Sequence, residues 1–160
     1  MLRPTDPADT PALLQMARDT AVFYPHEIDV LEEVIAEYHA GGEDGGPVMR
    51  TWEEAGTPVG FVHFCPAPMT VGTWELWWIV VAKDRHGQGL GRRLLAFVEQ
   101  EVRDRGGRAL FIETSSTPPY EPTRRFYLRC GYSEVARLPG YYRQGDDKVI
   151  FVKETSAIVG

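Results

Sequence analysis

Apolar positions recur at two periods along the chain, and the switches between them mark its elements. In "DTPALLQMARDT" Leu13, Leu14 and Ala17 form a helical stripe, with Thr10 placed to cap the helix and Pro11 at its first position. A second helix follows near Glu27: Val30, Leu31, Val34, Ile35 and Tyr38 recur at helical spacing until Gly41-Gly42 ends it. "GGEDGG" is a loop. The helical period then ends, and "PVMRTWEEAGTPVGFVHFC" reads as a hairpin, with Val48 to Glu53 and Val59 to Cys65 as strands around the Ala55-Gly56 turn. "VGTWELWWIVVA" is the most strand-like segment. Its second half is apolar on both faces, as in a central strand.

After three closely spaced glycines the helical period returns with Leu90, Leu94, Leu95, Val98 and Val102, and Gly106-Gly107 stops it. "RALFIETSS" is a second buried strand. A helix separates it from "WELWWIVVA", so the two should be parallel neighbours. "PTRRFYLRC" is a short helix closed by Gly131, and "YSEVARL" with "DKVIFVKE" forms a final antiparallel pair. "MLRP" at the start is a short edge strand, because Pro4 cannot donate inside a ladder. The order β-α-α-β-β-β-α-β-α-β-β is that of an α+β fold with a mixed sheet. One domain over residues 1–155 and a short tail, 156–160, account for the chain.

Composition narrows the functional classes. Seventeen Lys+Arg against 23 Asp+Glu give a net charge of −6, which argues against general nucleic-acid binding. No run approaches a membrane span and no leader-like apolar stretch opens the chain, so a cytoplasmic setting is expected. Cys65 and Cys130 match neither a CxxC nor a zinc spacing and read as structural thiols. His63 and Cys65 share a strand face, but two potential ligands do not make a zinc site, and no metal is expected. Trp74, Trp77 and Trp78 read as core or dimer packing.

The glycines carry the chemistry. A strand that runs into a Gly-rich loop and then a helix sets backbone N–H groups at the positive end of the helix dipole, where an anion such as phosphate can sit. The NTPase phosphate loop needs G-K-[ST], but Gly91 is followed by Arg92-Arg93. The dinucleotide fingerprint needs GxGxxG, but the spacing here is GxGxG.

"HGQGLG", His86 to Gly91, resembles the pyrophosphate loop of the GCN5-related N-acetyltransferases (GNAT), whose pattern is Q/R-x-x-G-x-G/A. About 35 residues on, "RRFYLRCGY" resembles the second signature of that family, and both chain ends look like family ends. The resemblance implies the GNAT fold, a mixed six- to seven-stranded central sheet flanked by about four helices. It also implies acetyl-CoA as co-substrate and a primary amine of a small molecule or protein as acceptor, acetylated by direct transfer in a ternary complex. A homodimer or a monomer fits it. A non-catalytic acyl-CoA-binding sensor on the same fold is the alternative.

Carried onto these residues, the resemblance assigns the pyrophosphate to N–H groups of His86, Gly87, Gln88, Gly89, Leu90, Gly91 and Arg92, with charge from Arg92 or Arg93. Ile79, Val80 and Val81 would pair their backbone with the pantetheine arm, and an N–H near Val81 would face the thioester oxygen. Tyr127 would protonate the leaving thiolate. The amine must lose a proton before it attacks, and two carboxylates are placed to take it: Glu75, eleven residues before His86, and Glu113 at the end of the next strand. Glu75 is favoured as base and Glu113 as a substrate contact, with the choice open. Tyr24, His26, Glu27, Tyr141, Tyr142 and Arg143 are further acceptor-side candidates. Two positions depart from the pattern: His86 holds the Q/R place, and Tyr120 stands where many members have an Asn that helps hold the cofactor arm.

Overall fold

The computed structural model describes residues 1–156; of the tail expected at 156–160, residues 157–160 lie outside the described residues. In chain order the elements are β1 (Leu2–Pro4), α1 (Thr10–Asp19), α2 (Pro25–Gly41), β2 (Val48–Glu54), β3 (Thr57–Pro66), β4 (Thr73–Val81), α3 (Leu90–Asp104), β5 (Ala109–Ser115), α4 (Glu121–Arg129), β6 (Ser133–Arg143) and β7 (Asp146–Glu154). Short 3-10 turns precede α1, α3 and α4. This is the expected order of elements, and the parallel pairing of β4 with β5 is present.

The seven strands form one sheet in the order β1-β2-β3-β4-β5-β7-β6. The final pair is antiparallel as expected, but β7 inserts between β5 and β6, which leaves β6 at the edge. Leu13, Leu31 and Ile35 of α1 and α2 pack with Met49, Phe61 and Val80 on one face of the sheet. Leu94, Leu95, Val98 and Val102 of α3 pack with Val62, Phe64, Leu76, Leu110 and Phe151 on the other.

Two local expectations change. Thr10 is the first residue of α1 rather than its cap, because a 3-10 turn at Pro7–Asp9 leads into the helix. The capping residue is Asp6, whose carboxylate accepts from Ala8 N–H at 2.8 Å while its own N–H donates to Asp9 at 2.9 Å. Tyr141, Tyr142 and Arg143 lie in β6 rather than in a loop. Leu138 pairs with Lys148 and Arg143 with Asp146, so the residues between them bulge from the ladder.

The sheet splits at its centre. β4 and β5 pair only from Thr73↔Ala109 to Leu76↔Ile112. Beyond that point β4 stays with β3 as far as Val81, and β5 stays with β7 as far as Ser115. The split begins where β3 pairs His63 with Trp78 and Phe64 with Leu76, so Trp77 is an extra residue with no partner opposite. A bulge sharpens local twist and bends its strand, which turns β4 away from β5 at this place.

His63 lies beside the bulge, 1% exposed, with its Nδ1 lacking a hydrogen-bond partner. Burial holds the ring neutral, its pKa pushed down to about 4. Between pH 6.5 and that value the unfolded chain takes a proton that the folded chain refuses, so stability falls as pH falls through this window. Chemical denaturation at pH 7 and pH 4.5 should show wild type losing about 2–3 kcal/mol more than His63→Leu. Equal losses in the two proteins would contradict this reading.

Candidate active site

A cleft of about 810 Å³ occupies the split and continues to the glycine loop. Its banks are β4 and the loop from Arg85 to Arg92 on one side, and the end of β5 with the start of α4 on the other. Ala82 N–H donates to Val59 O at 2.9 Å, which fixes the alternation of backbone groups along β4. Val80 spends its N–H and C=O on the β3 ladder, where it pairs with Phe61, and its side chain is buried. Ile79 turns both of its groups into the split and Val81 its N–H, the Val81 C=O being held by the His86 ring. Of the three strand residues expected to pair with a ligand's backbone-like arm, two therefore point the required groups at the cleft.

In the loop, Gly87 and Gly89 have φ of +75° and +81°, the left-handed region that side chains disfavour. Gly89 precedes α3, and the first intrahelical bond runs from Arg93 N–H to Gly89 O at 3.1 Å. The N–H groups of Leu90, Gly91 and Arg92 thus lie before the ladder, at the positive end of the helix. His86 departs from expectation. Its N–H donates to Lys83 O at 3.3 Å inside a 3-10 turn, while its ring Nε2 bonds Val81 O at 2.8 Å. His86 therefore ties the loop to the end of β4 through its side chain. Gln88 Nε2 donates to Asp84 O at 2.9 Å and braces the same turn. Arg85 is held by Glu54 and Asp84 at 2.9 and 2.7 Å, whereas Arg92 lines the cleft and Arg93 does not.

On the opposite bank Tyr127 is 4% exposed overall and lines the cleft, with its ring packed against Phe126, Tyr132 and Phe151. Burial pushes its phenol well above the ordinary range, so it remains a proton donor at neutral pH. Cys130 has its thiol raised by burial as well, which makes it a poor nucleophile, and burial pushes Cys65 up to about 12. Tyr120, in place of the expected Asn, crosses the cleft and donates from its hydroxyl to Val22 O at 3.2 Å, tying the α1–α2 connection to the start of α4.

A second cavity, about 420 Å³, opens beside the first on the α2 face of the sheet. Both acidic candidates line it. Glu75 accepts from Trp77 Nε1–H at 3.0 Å, and Glu113 pairs with Lys148 Nζ at 2.8 Å. Glu27, at the start of α2, faces the same space and accepts from Tyr24 N–H at 2.6 Å. Tyr142 lines both cavities, and Arg143 stacks over the Tyr24 ring at 3.8 Å. His26 and Tyr24 line the larger cleft, but Tyr141 borders neither and packs under Lys148 instead. Trp74 is core, as expected. Trp78 packs beside Phe23 against the α1–α2 core, whereas Trp77 is half-exposed; both wall the two cavities, where the bulge breaks the alternation of β4. Three tryptophans at 74, 77 and 78, which cannot all share one face of a regular strand, were the available sign.

The sequence of residues 11–132 matches the Acetyltransferase (GNAT) family. The chain belongs to that family. A crystal structure assigned to the GNAT acetyltransferases, from Desulfovibrio desulfuricans, is 41% identical and superposes with a TM-score of 0.93 over 97% of this chain and 98% of that one. An uncharacterized N-acetyltransferase of Methanocaldococcus jannaschii is 25% identical over 145 residues, 82% of this chain and 88% of its own. An aminoglycoside 6'-N-acetyltransferase complexed with coenzyme A shares the fold at 22% identity, with a TM-score of 0.79 over 97% of each chain. The seven-stranded mixed sheet with four helices is the GNAT fold, and this GNAT chain is an N-acetyltransferase.

Proposed function

We propose that this GNAT enzyme transfers an acetyl group from acetyl-CoA directly to a primary amine, both bound at once in the split between β4 and β5. The observation that carries this is the convergence on one cleft of three unlike features: the Ile79 and Val81 backbone, the N–H groups ahead of α3, and the buried phenol of Tyr127. The fit to a long, amide-bearing diphosphate is good. The strand edge offers peptide groups for the amides, and the helix N-terminus offers donors for the phosphates. An aminoglycoside acetyltransferase of the same fold is complexed with coenzyme A, which supports coenzyme A as the carrier.

Acetyl-CoA would supply the acetyl group as an activated thioester and leave as the free thiol. Glu75 takes a proton from the acceptor ammonium, directly or through water, so that the nitrogen lone pair can form the new C–N bond. Glu113 is less suited, since protonation there would break its pair with Lys148. The Val81 N–H donates to the carbonyl oxygen as negative charge builds on it. As the C–S bond breaks, Tyr127 gives its proton to sulfur. The product is an amide: of the two protons the ammonium loses, the one taken by Glu75 passes to solvent, and the one shed by nitrogen as the C–N bond forms balances the one that Tyr127 gives to the thiol.

Free-thiol release measured against both substrates tests the order of events. Direct transfer predicts intersecting initial-velocity lines and no thiol release without amine. Parallel lines with a burst of thiol from acetyl-CoA alone would point to an acyl-enzyme and sink direct transfer.

A further inference from the structure

We infer that Trp77 is the platform on which the acceptor rests, and that the acceptor of this enzyme carries a second cationic group besides the amine that is acetylated. The inference rests on the N-acetyltransferase reading and names its acceptor class.

The bulge sets Trp77 apart from every other large aromatic of the sheet's centre. With no partner opposite on β3, its indole is 51% exposed although β4 is a central strand. Leaving an indole in water forgoes the burial that such a ring normally provides. Yet the ring is not loose. It meets the buried His63 edge-on, with centroids 5.3 Å apart and planes at 75°, and its Nε1–H donates to Glu75 at 3.0 Å. An aromatic face held in place before binding costs little ordering when a ligand lands on it.

The surroundings specify the ligand. The 420 Å³ cavity beside Trp77 contains the carboxylates of Glu27, Glu75 and Glu113 and no Lys, Arg or His among its lining residues. Val30, Val34 and Phe111 give it an apolar stretch that methylene groups would cover. The face of an indole attracts a cation more strongly than that of a phenol. At the rim this geometry is already in use, with Lys148 over Tyr141 at 3.7 Å and Arg143 over Tyr24 at 3.8 Å. Trp77 is the exposed ring left for a cation brought by the substrate. Because the cavity adjoins the split, an amine reacting there can leave a second positive charge over the indole, as an α,ω-diamine does.

Thiol release at saturating acetyl-CoA, with hexamethylenediamine, hexylamine and aminohexanoate as acceptors, tests this. Wild type should favour the diamine over hexylamine by about tenfold in kcat/KM, the scale of one partly desolvated cation–π contact, with aminohexanoate poorest. Trp77→Leu should erase the advantage by raising the KM of the diamine, and Trp77→Phe should retain most of it. Equal use of diamine and hexylamine by wild type, or an undiminished advantage in Trp77→Leu, would overturn the inference. Acetyl-CoA binding without diamine preference removes this inference alone. Absence of both acetyl-CoA binding and thiol release removes the transferase reading beneath it.

Discussion

Tyr127→Phe should lower kcat by about 10²–10⁴-fold, the usual contribution of a positioned general acid, which corresponds to about 3–5 kcal/mol of barrier. The affinity for acetyl-CoA should change little. The substitution removes one oxygen and keeps the ring, which packs against Phe126, Tyr132 and Phe151. Burial is the main cause that keeps the phenol protonated, so wild type should show no alkaline loss of activity from this group below about pH 10. Steady-state rates and calorimetry on the variant check both halves. A kcat within a few-fold of wild type would remove Tyr127 from proton transfer and leave it a packing residue.

Glu75→Gln should lower kcat/KM by about 10²-fold and replace the wild-type acid limb of the pH–rate profile by a steady rise to about pH 10, because the residual rate then follows only the neutral fraction of the amine. Glu113→Gln should keep that limb. The asymmetry follows from the partners of the two carboxylates. Glu75 accepts a neutral indole N–H and keeps capacity for a water or an ammonium, whereas Glu113 is occupied by Lys148. Profiles of the two variants taken together decide the assignment. Loss of the acid limb in Glu113→Gln with its retention in Glu75→Gln would exchange the roles, and two unchanged profiles would exclude both groups.

The elements were legible where a period or a bounded apolar run marks them. Leu90 to Val102 follows 3.6 residues, Val59 to Cys65 is a short, largely apolar run buried on both faces, and Gly42, Gly106 and Gly131 stop their helices where the pattern ends. The glycine loop was legible for a related reason: Gly87 and Gly89 need left-handed backbone, which only a few residue types accept. What the sequence hid is set by contacts between distant strands. The mismatch of β3 against β4 that frees Trp77 is a property of two strands together, and neither strand displays it alone. Insertion of β7 beside β5 is likewise decided by pairing across the sheet. The ring of His86 was hidden differently. Its loop position suggested a backbone ligand, but the N–H closes a turn and the imidazole pins the loop to Val81.

The central claim is that the split between β4 and β5, with the loop ahead of α3, is an acyl-CoA site. Calorimetric titration of the wild-type protein with acetyl-CoA and, separately, with ATP tests it most directly. Saturable binding of acetyl-CoA at one site per chain, with no comparable heat from ATP, is the predicted result. Binding of ATP without binding of acetyl-CoA would contradict the account.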